Sequence, residues 1–247
     1  MVGRTGSSNH NECDSGSYSP VLLLQSLFDF LMLSNRRHQV ESRLNRDDNG
    51  RSILVAVFFE GSLAAVAIGV GWLAEVPVLE TFHFNLAHFA LGVAGSLPLL
   101  AMMFLLCRSS WAPLKRLTVT VEQLVNSLFV GRDLIEIAAV SLMAGIGEEF
   151  LFRGLIQGGI LVWVGGSTGI VTSLILASLF FGLCHPITIT YVVVASIVGV
   201  YLGAIWLASG NLLVPVTAHA SYDFLALLYL LKVHRKNGAV TLRGSNE

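Results

Sequence analysis

Six stretches of 18 or more predominantly apolar residues, near 52–74, 88–107, 134–160, 167–185, 187–208 and 211–231, dominate the sequence. Each is long enough to cross a hydrocarbon layer of about 30 Å as a helix. In lipid no water is available to backbone N–H and C=O groups, so a spanning segment must satisfy them internally as a helix or in a closed barrel. Segments of this length select the helix. The expected fold is all-α, a polytopic transmembrane helix bundle of six spans. Composition agrees, because only 13% of the 247 residues are charged and 54% are hydrophobic, against a charged share of about 25% in soluble domains.

The rest of the chain falls around these spans. Residues 1–51 form a polar tail, with 1–19 rich in Ser, Asn and Gly and expected to be disordered. Val21–Leu33 is too short to span, contains Asp29 and lacks the preceding basic cluster of a secretory signal; it reads as an interfacial helix. Residues 52–129 hold the first two spans and a connecting loop, 130–231 the core with the polar interruptions, and 232–247 a polar C-terminal tail. Basic side chains gather in three places. Arg4, Arg36, Arg37, Arg43, Arg46 and Arg51 precede the first span, Arg108, Lys115, Arg116 and Arg132 separate the second from the third, and Lys232, Arg235, Lys236 and Arg243 follow the last. Short basic loops stay cytoplasmic, so both termini are expected there. A net charge of −1 and the lack of a basic stripe interleaved with aromatics give no reason to expect nucleic acid. Cys13, Cys107 and Cys184 show no paired or metal-type spacing. The oligomeric state has no signature in the sequence.

The chemistry is concentrated where charge interrupts apolar sequence. Glu148, Glu149 and Arg153 lie inside the third span, where ionisable side chains are costly and mark function by default. Helical residues four apart share a face, so Glu149 meets Arg153, while Glu148 is turned by about 100° and has no helical counter-ion. The pair reads either as a buried network that fixes packing or as part of a site. A desolvated, uncompensated carboxylate such as Glu148 suits a general base. Phe181 lies four residues before His185, so its ring can restrict the imidazole, and His219 lies four before Asp223, which can orient it or join it as a metal ligand. A lone intramembrane histidine is more often a packing residue, but the three patterns in succession are hard to explain by packing.

Glu60 interrupts the first span and either lines a cavity or bonds to a neighbouring helix; it is left outside the site. Cys184 reads as a small hydrophobe. The His185–Pro186 junction leaves almost no polar loop between spans, so that turn is expected to be buried in protein below the membrane surface. Gly154/Gly158, Gly165/Gly169 and Gly199/Gly203 offer faces for close helix approach.

The order Glu148-Glu149-xxx-Arg153, Phe181-xxx-His185, His219-xxx-Asp223 over approximately residues 130–231 resembles the CPBP family of CAAX proteases and bacteriocin-processing enzymes, also called the ABI family. The resemblance implies an intramembrane endopeptidase acting on a membrane-associated protein or peptide. In that family pattern Glu148 would activate water with help from His185, His219 and Asp223 would stabilise the oxyanion, and Glu149, Arg153 and Phe181 would support the site. Asp223 departs from the Asn of the prenyl-protein protease members. Two histidines and a carboxylate also suffice for a catalytic divalent metal such as zinc, drawn from His185, His219 and either Glu148 or Asp223, although no His-Glu-xx-His helix is present; no cofactor is firmly implied. A noncatalytic scaffold or bacteriocin-immunity protein that binds a partner remains the competing reading.

Overall fold

The computed structural model describes the backbone of residues 46–244 and the side chains of 52–232. The disordered tail and interfacial helix expected within residues 1–33 lie outside that range. The described chain is helical throughout: α1 (Arg46–Leu73), a single 3-10 turn (Leu79–Thr81), α2 (Leu86–Arg108), α3 (Ala112–Phe129), α4 (Leu134–Glu149), a π-helical segment (Phe150–Gln157), α5 (Gly158–Val164), α6 (Gly166–Leu183), α7 (Ile189–Ser209) and α8 (Leu213–Gly244). No strand occurs among the described residues. Among the described residues, five helical stretches, Ser52–Leu73, Leu86–Arg108, Gly166–Leu183, Ile189–Ser209 and Leu213–Lys232, are long and apolar enough to cross a membrane. The expected third span is a helical rod from Leu134 to Val164 whose α geometry is interrupted by the π turns.

This is an all-α membrane bundle, and its surface shows it. Phe58, Trp72 and Ile135 are each at least 75% exposed, a costly arrangement in water that lipid solvates. Local signals fix the helix ends. Asn85 accepts hydrogen bonds from the N–H groups of Ala87 and His88 at the start of α2, Asp133 and Glu136 form a capping box on α4, and Thr188 accepts from Tyr191 N–H at the start of α7. Between α5 and α6 the chain reverses through Gly165 and Gly166, at φ 68° and 59°, a left-handed geometry that glycine adopts at low cost.

One element escapes the apolar-run criterion. The connection between the second and third spans contains α3, where Leu114, Leu117, Val121, Leu124, Val125 and Leu128 recur at helical spacing. Leu117 and Val125 are buried, and Pro113 occupies the first turn.

Two apolar clusters hold the bundle. One joins Ala64 and Ala67 of α1 and Val76 and Val78 of the α1–α2 connection to Phe150, Trp206, Leu212 and Val216. The other joins Leu99, Phe152, Phe181, Ala195, Val198, Leu202 and Ala218. Glycine lets the backbones approach between them: a Cβ on Gly199 would lie 3.0 Å from Ser178 Cα, and one on Gly203 would lie 2.6 Å from Gln157 Oε1. At the opposite face of α4, a Cβ on Gly147 would overlap the carbonyl oxygen of Glu60. Helix α1 therefore touches α4 one residue before the paired glutamates.

Candidate active site

The site forms where the end of α4, the α6–α7 turn and the first turns of α8 meet. Glu149 is fully buried, and both of its oxygens are engaged. Its Oε1 accepts from His219 Nδ1 at 2.8 Å, and its Oε2 lies 3.1 Å from Arg153 Nε. Arg153 continues the chain of contacts by donating from Nη2 to the Gly199 carbonyl at 3.0 Å. Its guanidinium also stacks over Phe181, 4.7 Å from the ring centroid, a cation–π contact that gains strength in a desolvated setting. The expected pairing of Glu149 with Arg153 is present across the junction between α4 and the π segment. Interruptions of this kind recur at functional sites, and nothing in the sequence marks this one.

Phe181 is the packing centre. Its ring meets Phe152 edge-on at 5.1 Å, His185 at 4.8 Å and His219 at 6.0 Å. Its carbonyl oxygen lies 2.7 Å from His185 Nδ1. A carbonyl can only accept, so Nδ1 carries the proton and Nε2 is turned into the site. The same logic applies to His219, whose Nδ1 donates to Glu149 and whose Nε2 faces inward.

Glu148 receives both inward nitrogens. His185 Nε2 lies 3.8 Å from its Oε1 and His219 Nε2 4.0 Å from its Oε2, while Asp223 Oδ2 lies 3.5 Å from the same His219 nitrogen. These separations exceed a direct N–H···O hydrogen bond and suit groups that meet through a water or a reacting carbonyl. The four polar side chains read from the sequence, Glu148, His185, His219 and Asp223, therefore converge. The closest carboxylate to His219 is Glu149 rather than Asp223, so the supporting residue is the stronger orienting group.

A divalent metal would draw its ligands from His185, His219 and either Glu148 or Asp223. Among the described residues, no three His, Cys, Asp or Glu side chains are grouped as a metal site requires.

Other residues around the site were not read from the sequence. Tyr191 lies edge-on to His185 with ring centroids 5.9 Å apart. Gln157, fully buried, donates to the Gly203 carbonyl at 3.4 Å, one helical turn beyond the Arg153–Gly199 contact. The carbonyl partners could not be inferred from residue types. Tyr191, six residues beyond His185 across a turn, has no helical spacing that would flag it.

Residues 131–225 match the family model described as type II CAAX prenyl endopeptidase Rce1-like. Over this segment, less than half of the chain, the protein is similar to the CAAX protease family. Neither the comparison with curated proteins nor that with solved structures gives a match. The matched segment contains Glu148, Glu149, Arg153, Phe181, His185, His219 and Asp223. At the level of the CAAX protease family, the match supports an intramembrane endopeptidase with a protein substrate. The membrane association follows independently from the apolar helices.

Proposed function

We propose that this protein hydrolyses a peptide bond in a membrane-associated protein or peptide, with Glu148 as the base that activates water. The observation that carries the reading is the convergence of His185 Nε2 and His219 Nε2 on the two oxygens of Glu148, at 3.8 and 4.0 Å. A water held there gives one proton to Glu148 as its oxygen attacks the scissile carbonyl carbon. His185, fixed by the Phe181 carbonyl, assists by bounding the space in which that water sits beside Glu148. The proton on Glu148 then passes to the departing amide nitrogen as the C–N bond breaks. General base catalysis of this kind contributes about 10²–10⁴-fold.

The developing oxyanion needs a donor. Because His219 already gives its Nδ1 proton to Glu149, it serves as that donor through a protonated Nε2. Two acidic neighbours, Glu149 at 2.8 Å and Asp223 at 3.5 Å, support that imidazolium. An ionised Asp223 cannot itself donate, so in this scheme it acts through His219.

The test is cleavage of fluorogenic membrane peptides, with and without a C-terminal prenylated cysteine motif, by purified protein in detergent. Glu148→Gln abolishes cleavage in a folded protein, and a strong chelator leaves wild-type cleavage unchanged. Loss of wild-type activity to the chelator would transfer the chemistry to a metal. Full biological activity in both Glu148→Gln and His219→Ala would instead indicate a noncatalytic scaffold that binds a partner.

A further inference from the structure

We propose that Glu60 of α1 is a further catalytic residue of this site. Its carboxylate accepts the second O–H of the water that Glu148 deprotonates, and so sets the direction of the attacking lone pair. The inference rests on the protease reading above.

Glu60 is the only ionisable side chain between Ser52 and Leu73, and its sequence neighbours Phe58 and Phe59 point outward, 75% and 59% exposed. A carboxylate in such a segment is expensive and calls for a polar environment. The bundle supplies one. The Glu60 backbone lies directly against Gly147, so close that any side chain at 147 would overlap its carbonyl. The Glu60 backbone thereby lies one residue from Glu148 on α4, and its carboxylate interacts electrostatically with Glu148, His219 and Asp223.

Glu60 Oε2 and Glu148 Oε2 are both buried without a hydrogen-bond partner in the protein, and buried acceptors of this kind are costly unless a donor is supplied. Water offers two O–H donors, enough for both. Glu149 Oε2 also lacks a hydrogen bond, but it is ion-paired with Arg153 Nε at 3.1 Å, and Asp223 faces His219 at 3.5 Å. With one O–H on Glu148 and the other on Glu60, the water's remaining lone pairs face the substrate. The first proton goes to Glu148 and on to the leaving nitrogen, whereas the second stays on the oxygen and ends in the product carboxyl group. Glu60 thus accepts a hydrogen bond throughout and gains no proton.

The experiment compares wild type, Glu60→Gln, Glu60→Leu and Glu148→Gln on the same fluorogenic peptides, with kcat, KM and thermal midpoint measured for each. Misdirecting a reacting water costs about 10²-fold, so Glu60→Leu is expected to lose kcat on that scale with KM within about twofold. Glu60→Gln keeps a carbonyl acceptor and loses less. The midpoint of Glu60→Leu stays level or rises, since a buried unpartnered carboxylate has been removed. Wild-type kcat in Glu60→Leu would overturn the inference, as would equal losses in Gln and Leu, or a loss confined to KM or to the thermal midpoint. Activity retained by Glu148→Gln, or a wild type that cleaves no peptide, would overturn the protease reading and this assignment with it.

Discussion

Glu148 and Glu149 are neighbours in sequence and opposites in surroundings. Glu149 has no exposed side-chain surface and binds His219 and Arg153 at 2.8 and 3.1 Å. Glu148 is 13% exposed, and its nearest ion-pair distances are 3.8 and 4.0 Å. The same division runs through the rest of the cluster. Arg153 is closed inside the bundle with Glu149, Phe181 and the Gly199 carbonyl, whereas His185 and Asp223 keep 24% and 29% side-chain exposure. One half of the cluster is buried and closely ion-paired; the other is more widely spaced and partly exposed. A turn of about 100° between adjacent helical residues is enough to divide support from chemistry.

The largest effects should fall on opposite properties in the two halves. Glu148→Gln is expected to lower kcat by about 10³-fold or more while leaving the thermal midpoint in detergent unchanged. Arg153→Met should do the reverse in kind, costing about 3–5 kcal/mol of stability because Glu149 is left buried without its counter-ion. Lysine at 153 should not restore it, since the flat guanidinium both stacks on Phe181 and reaches Gly199. If Arg153→Met melted like wild type and only lost activity, the buried half would belong to the chemistry after all.

This division was only partly legible in the sequence. Apolar run length carried the bundle, because lipid leaves the backbone few alternatives. The i, i+4 spacings carried the pairing of Glu149 with Arg153 and the stacking of Phe181 on His185. What those spacings could not carry was anything across helices. The bond from His219 to Glu149 joins residues 70 apart, and the contact of Glu60 with Gly147 depends on where α1 crosses α4. The π segment was hidden for another reason: Phe150–Gln157 contains ordinary helix-forming residues, and its geometry is set by the contacts it makes. Helix α3 was hidden because its apolar positions are spread along one face rather than gathered in a run.

Gly147 offers a smaller perturbation placed between the two halves. A methyl group there would collide with the Glu60 carbonyl, which is backbone and cannot rotate away. Gly147→Ala is expected to destabilise by about 1–3 kcal/mol, the usual cost of overpacking. It should also reduce cleavage by pushing α1 away from the site. Equal melting and equal activity would show that α1 yields without consequence.

The smallest effect is expected at Asp223, and it discriminates between two ways of stabilising the oxyanion. Asp223 is partly exposed, and its 3.5 Å contact with His219 Nε2 is weaker than the 2.8 Å bond from Glu149. Asparagine is nearly the same size but exchanges a negative charge for N–H donors. It withdraws support from the His219 imidazolium while offering a second donor to the oxyanion. These changes act in opposite directions, so Asp223→Asn should alter kcat by less than about tenfold, against the 10²–10³-fold typical of losing an oxyanion donor outright. Asp223→Ala has only the loss and should fall further. If the asparagine and alanine variants fell together, the charge at 223 would be the essential quantity. If asparagine exceeded wild type, direct donation would be the stronger device, and the partly exposed half of the cluster would act through position 223 itself rather than through His219.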